Sequence, residues 1–377
     1  MSEKISRFLA EVQPPTPCVV IDLDIVEQTY RRLSEALPTA AIFYAMKANP
    51  APEVLERLVS LGSSFDTASR GEIEQVLAVG GAPERISFGN TIKKRADIEF
   101  AHKAGVRLYA FDCIAELEKI ASAAPGAQVF CRILVKGDGA KWPLSKKFGC
   151  SPELGVELLT RARELGLQPY GVSFHVGSQQ CDPTQWDLPI ERTAGMFKSL
   201  ARHGIRLGMI NLGGGFPGHY QQEIAPVARY GEAIMASLAR HFGADLPEVI
   251  IEPGRGMVGD AGILQSEVVL VSNRDTRTHR RRWIYLDAGK FNGLIETLDE
   301  IIKYQIRTPH DGKPTGPVVL AGPTCDSLDI LYEKTDYQLP LDLAIGDKVE
   351  ILSVGAYSSS YASVGFNGFE PLKTYCI

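Results

Sequence analysis

Between about residues 22 and 260 one pattern recurs: a short apolar strand, then an amphipathic helix. Eight candidate strands can be counted: AIFYAMK (41–47), SSFDTAS (63–69), ISFG (86–89), RLYAFD (107–112), AQVFCRILV (127–135), PYGVSFHVG (169–177), LGMINLGGG (207–215) and EVIIEPGR (248–255). Helical stretches such as 52–62, 71–81 and 229–242 separate them. The helix ahead of the first strand spaces Leu23, Val26, Tyr30, Leu33 and Leu37 three and four apart, along one face. Strands joined by crossover helices pair in parallel. Eight such units in about 240 residues match a closed barrel, whereas six would suggest an open doubly wound sheet. The expectation is an α/β fold, a parallel (β/α)8 TIM-like barrel over 22–260.

After 260 the period changes. GILQSEVVLVSN (262–273), RRWIYLDAG (281–289), GPVVLAGP (316–323) and DKVEILSVGAY (347–357) read as strands between turn-rich loops. PTPCVVIDLD (15–24) reads as a further strand, placed to pair with the C-terminal region. A second, all-β domain is therefore expected from residues 1–21 and 261–377, a sandwich or barrel built from both chain ends. Two loops stand out. KGDGAKWPLSKKFGC (136–150) mixes Gly, Pro and Lys after the fifth strand, as a mobile lid would. RTHRRR (277–282) is read as a solvated hairpin tip, because no wider basic surface or interleaved aromatic accompanies it.

Composition narrows the classes of function. Hydrophobic residues make up 45% and charged residues 23%, and the formal net charge is −5. That balance argues against nucleic acid as a partner and admits a cationic small molecule. The seven cysteines are scattered, with no CxxC pair, as expected of reduced thiols in the cytoplasm. No run reaches membrane-spanning length, and the N-terminus lacks a signal-peptide core. The histidines show no metal-ligand spacing, so no metal is expected.

In a parallel barrel the reactive groups gather where strands end. Lys47 ends the first strand, Asp66 lies late in the second, and Arg132 lies near the end of the fifth. His175 ends the sixth, Gly213, Gly214 and Gly215 end the seventh, and Glu252 and Arg255 end the eighth. Each has a plain alternative: a surface lysine, a packed histidine, a simple loop in GGGFPG, a Glu252–Arg255 ion pair. Together they offer an amine that can condense with a carbonyl, amides that can cradle an anion, and a carboxylate that can keep a ring nitrogen protonated. The apolar approach to Lys47 predicts its partial burial. GGGFPG is neither a Walker A sequence nor a dinucleotide fingerprint. In GPTCDSLD (322–329), Cys325 is either a small turn residue or a proton donor. Asp326 and Asp329 are either capping residues or carboxylates for a substrate ammonium.

YAMKAN (44–49), FHVGSQ (174–179), GGGFPG (213–218), EPGR (252–255), GPTCDSLD (322–329) and GAY (355–357) occur in one order along nearly the whole chain. In this the chain resembles the alanine-racemase-fold (fold type III) pyridoxal-phosphate enzymes, and within them the bacterial ornithine/lysine decarboxylases. The resemblance implies that Lys47 bonds pyridoxal 5'-phosphate, Glu252 meets the pyridine nitrogen and His175 stacks on the ring. It places Ser178, Gly213, Gly214, Gly215, Arg255 and Tyr357 around the phosphate, Arg132 near the ring hydroxyl, and Asp66 and Glu72 beside the lysine. Tyr357 also borders the substrate. Cys325 and Asp326 would enter from a second subunit of a homodimer with shared sites, Asp326 for the distal amine and Cys325 to protonate the α-carbon.

Two features choose within the family. EPGR supplies Glu252 where related racemases place an arginine. CDSLD differs from the CESxD of diaminopimelate decarboxylases. The expected reaction is decarboxylation of L-ornithine, and also of L-lysine, to putrescine or cadaverine and carbon dioxide. LDAGKFNGLIETLDE (286–300) is shorter than in eukaryotic ornithine decarboxylases and lacks an aspartate they set against the distal amine; Glu296 is the expected substitute. The competing readings are another basic amino-acid or diaminopimelate decarboxylase, and a non-catalytic relative that binds a regulatory protein. Joint presence of Lys47, Glu252 and Cys325 argues against the last.

Overall fold

The structure, a computed structural model, describes residues 2–135, 139–142, 147–275 and 280–377. Much of the expected lid at 136–150 and part of the basic run at 277–282 lie outside the described residues.

Eighteen strands are present among the described residues. In chain order they are β1 (Cys18–Ile21), β2 (Ala40–Ala45), β3 (Ser64–Thr67), β4 (Ile86–Phe88), β5 (Leu108–Phe111), β6 (Gln128–Arg132), β7 (Ala140–Trp142), β8 (Gln168–Ser173) and β9 (Ser178–Gln180). They continue as β10 (Met209–Asn211), β11 (Glu248–Ile251), β12 (Gly262–Asp275), β13 (Arg280–Leu286), β14 (Ile306–Arg307), β15 (Thr315–Ala321), β16 (Ile330–Pro340), β17 (Lys348–Leu352) and β18 (Lys373–Cys376).

The parallel barrel is there. β2, β3, β4, β5, β6, β8, β10 and β11 close on one another, with β11 beside β2. Each is only three to six residues long, because side chains from eight converging strands fill the interior quickly. Helices between strands bury one stripe each. In Pro52–Ser60 that stripe is Val54, Leu55 and Leu58. In Val227–Phe242 it includes Tyr230, Ile234 and Leu238. The seventh strand is shorter than the apolar run suggested: β10 stops at Asn211, and the glycines beyond it form a turn.

The second sheet is β14-β17-β12-β13-β15-β16, with β1 lying between β12 and β18. Val19 pairs antiparallel with Leu264 and parallel with Thr374, so both chain ends share one sheet. The compact units are Glu27–Pro217 with Ile224–Met257, and Met1–Val26 with Gly218–Glu223 and Val258–Ile377.

Several elements had no reading from sequence, among them the helix Glu3–Val12, β14, β16 and β18. The helix Glu3–Val12 is capped by Ser2, whose Oγ accepts the Ile5 N–H at 3.2 Å. It buries Ile5 and Leu9 against Val20 and Ile263. β16 pairs with β15 through two register shifts, and those bulges break the alternation by which a strand is recognised.

Candidate active site

Side chains along a barrel strand alternate between the lumen and the helix layer. Phe43, Leu108, Ala110, Phe130, Met209 and Ile250 form one buried cluster and so mark the lumen phase. Two residues beyond Phe130 stands Arg132. Two beyond Met209 stands Asn211, and two beyond Ile250 stands Glu252. Asp66 is the register partner of Ala45, which shares the phase of Phe43. The same pleat that fills the barrel with apolar groups thus presents polar ones at its C-terminal rim.

Lys47 follows β2 on the one-turn 3-10 helix Met46–Ala48. Asn49 holds that turn: its carbonyl accepts the Tyr44 hydroxyl at 2.9 Å, and its Oδ1 accepts the Ala51 N–H at 3.1 Å. The strand leading in is buried, but the Lys47 side chain is 50% exposed, because the turn lifts it clear of the strand ladder. Its Nζ lies 3.9 Å from Asp66 Oδ2. Asp66 is buried and accepts the Ser87 hydroxyl at 3.1 Å. Burial raises its pKa, against the opposing pull of Lys47, Ser87 and Arg132. Glu72 accepts the Ala68 N–H at 2.6 Å and is likewise pushed up by burial.

Glu252 is the second carboxylate. Burial pushes its pKa up to about 7, and the charge of Asp66 adds to the shift; the Asn211 amide, Lys47 and Arg132 oppose it. Asn211 Nδ2 donates to Glu252 Oε1. Among the described residues the other carboxylate oxygen has no hydrogen-bond or ion-pair partner. His175 Nδ1 accepts the Gly177 N–H at 3.0 Å. Burial, with Arg132 and Lys47 nearby, lowers its pKa well below the usual value, so the ring is a neutral imidazole with its proton on Nε2.

The glycine turn packs against both neighbours. Gly213 has φ +66°, and a side chain there would strike the Phe174 carbonyl. A Cβ on Gly214 would lie 2.5 Å from the Glu252 carbonyl oxygen and 3.2 Å from His175 Nε2. Gly215 accepts the Gln180 N–H at 2.9 Å. Among the described residues no acceptor meets the N–H of Gly214 or Gly215. Arg255 is buried at the start of the short helix Arg255–Val258, and its Nη2 donates to Ser178 Oγ at 3.1 Å. Ser178 lies on β9, which pairs antiparallel with β7, so a described piece of the expected lid forms a two-stranded sheet with it. A guanidinium, a hydroxyl and available amides suit an anion such as phosphate.

The remaining expected residues lie in the second unit. Cys325 is exposed; its N–H and Sγ both reach Asn367 Oδ1, at 3.1 and 3.4 Å. Asp326 is half-buried and closes a turn by accepting the Leu328 N–H at 2.8 Å. Asp329, by contrast, is buried. It accepts the Lys290 N–H at 2.7 Å and the Thr324 N–H and hydroxyl at 3.1 and 2.7 Å, so it holds the loop together. Glu296 is buried on the 3-10 segment Ile295–Glu300. Tyr357 is half-buried with φ +55°. Asn211 and Asn367 went unnoticed in the sequence. Neither belongs to a motif, and each matters through a partner about forty residues away.

The barrel rim fits pyridoxal phosphate. A half-buried carboxylate with an unused oxygen suits a ring N–H. A lysine stands on the turn after the first barrel strand, and the anion site lies beside the glycine turn. The family model for the pyridoxal-dependent decarboxylase, pyridoxal binding domain, matches residues 23–259. A lysine/ornithine decarboxylase of Selenomonas ruminantium is 35% identical over 372 residues, covering 98% of this chain and 91% of that one. The crystal structure of a Vibrio vulnificus lysine/ornithine decarboxylase complexed with cadaverine superposes with a TM-score of 0.90 at 31% identity, covering 100% and 99% of the two chains. That of the arginine decarboxylase of Paramecium bursaria Chlorella virus superposes at 0.89 and 28% identity, covering both chains fully. The chain belongs to the pyridoxal-phosphate-dependent, fold type III decarboxylases of basic amino acids.

Proposed function

We propose that the chain decarboxylates L-ornithine, with L-lysine as a second substrate, releasing carbon dioxide and putrescine or cadaverine. The observation that carries the reading is the pairing of Glu252, a carboxylate suited to a ring nitrogen, with an exposed Cys325 and a half-buried Asp326 in a CDSLD loop. The first favours loss of a carboxylate over racemisation. The second offers a carboxylate to a distal ammonium and lacks the glutamate of the diaminopimelate type.

When bound, the cofactor supplies an electron sink for the charge left as carbon dioxide departs. The protein does the rest. Lys47 would hold the cofactor through its side-chain amine. Glu252 would keep the ring nitrogen protonated, and His175, its Nδ1 held by the Gly177 N–H, would cover one ring face. Ser178, Gly213, Gly214, Gly215, Arg255 and Tyr357 would hold the phosphate. Arg132 would meet the ring hydroxyl, and Asp66 and Glu72 set the charge around Lys47. Cys325 returns a proton to the α-carbon. Asp326, with Glu296 and Tyr357, borders the distal end of the substrate.

Cys325 and Asp326 act on the site of a second copy, which makes the working unit a homodimer. Among the described residues no helix is long and apolar enough to cross a membrane, and the scattered thiols support a cytoplasmic setting. Ornithine and lysine differ by one methylene, worth about 1–3 kcal/mol in an apolar pocket, so a dual preference is expected. The test is kcat/KM by carbon dioxide release for ornithine, lysine, arginine and diaminopimelate. Ornithine and lysine should lead. Preference for arginine or diaminopimelate would refute the substrate assignment, and no release from any would refute the activity.

A further inference from the structure

Asn211 ends β10 with its side chain fully enclosed. Both ends of its amide are used. Nδ2 donates to Glu252 Oε1, and Oδ1 accepts the Gly213 N–H at 2.9 Å. The Glu252 N–H in turn donates to the Gly213 carbonyl at 2.8 Å. Asn211, Gly213 and Glu252 therefore close a ring of three hydrogen bonds. It joins the carboxylate at the end of β11 to the first glycine of the turn after β10.

We propose that Asn211 is the positioning residue of this site, locking the Glu252 carboxylate and the glycine turn into one unit so that ring nitrogen and phosphate are gripped in register. The inference rests on the function proposed above and deepens it. Three observations carry it. The donor is an amide rather than a cation, so it orients Oε1 without neutralising the charge the ring nitrogen needs. It occupies only Oε1 and leaves Oε2 open. It also stabilises the ionised form of a carboxylate that burial and Asp66 both push toward the neutral acid. Aspartate in its place would keep the acceptor for Gly213 while replacing the donor with a second negative charge. Alanine would remove both.

The experiment compares wild type, Asn211→Asp and Asn211→Ala, the last also in a Glu252→Gln background. It measures cofactor dissociation and the pH profile of kcat/KM in the loaded enzymes. Both single variants should bind pyridoxal phosphate about tenfold or more weakly, and the acidic limb of the profile should move up by about one pH unit. In the Glu252→Gln background, Asn211→Ala should cost less further in kcat/KM than it does in wild type, since no charged carboxylate is left to orient and only the hold on Gly213 remains to be lost. An unmoved acidic limb, or an equal loss in both backgrounds, overturns the proposal and leaves Asn211 a packing residue. Should Asn211→Ala fail to fold, the limb in Asn211→Asp decides alone. A wild type that takes up no cofactor sinks this inference and the proposed function together. A loaded wild type with unchanged variants sinks only this one.

Discussion

Lys47 Nζ lies 3.9 Å from Asp66 Oδ2, and this contact is the largest offset to burying that aspartate. Lys47→Ala should abolish carbon dioxide release and the visible absorbance of bound cofactor. It should also change the pH dependence of stability in the cofactor-free protein. A carboxylate raised above its unfolded pKa binds more protons folded than unfolded, so stability falls as pH rises through that interval. Without Lys47 the fall should steepen. The extra loss at pH 8 over pH 5 should stay under about 1 kcal/mol, because the lysine is half exposed and screened. Thermal unfolding at the two pH values measures it.

Glu252→Gln should part stability from function. The pKa of Glu252 rises from 4.5 to about 7 in the cofactor-free fold. Ionising it therefore opposes folding above that range, and the cost is absent below pH 4.5. The Gln variant should unfold at a higher temperature than wild type at pH 8, by up to about 3 kcal/mol of stability, and gain little at pH 5. Its kcat should fall roughly 100-fold or more, since the ring nitrogen loses its anion. Calorimetry of the apoprotein and steady-state kinetics of the holoenzyme check the two halves.

Gly214→Ala places a methyl 2.5 Å from the Glu252 carbonyl oxygen and 3.2 Å from His175 Nε2. Backbone cannot yield as a flexible side chain can. The expected cost is about 1–3 kcal/mol of stability, with cofactor affinity lost as the turn moves. Equilibrium denaturation and a cofactor titration read both.

Shared sites have their own test. Lys47→Ala and Cys325→Ala subunits, each inactive alone, should regain activity on mixing, because one site of the mixed dimer receives both intact groups. Absence of rescue in a sample shown to contain mixed dimers would assign Cys325 to the site of its own chain and contradict sharing.

The barrel could be read from residues 41–255 because its signal is local: β-rich apolar runs, helical stripes and breakers in alternation. Lys47, Arg132 and Glu252 stood out because a strand end is visible in sequence. Asn211 did not, since its partner Glu252 is distant along the chain and only the parallel pairing of β10 with β11 brings the two together. Exposure of the Lys47 side chain also escaped, because the run AIFYAM looks the same whether it ends in a strand or in a 3-10 turn. β16 was hidden by its bulges, and the Glu3–Val12 helix by a length too short for its stripe to show.

Borohydride reduction of the loaded protein, followed by peptide mapping, tests the central claim most directly. The cofactor should be fixed on the peptide carrying Lys47 and nowhere else. Label on a different lysine, or none in protein shown to hold pyridoxal phosphate, would contradict the account.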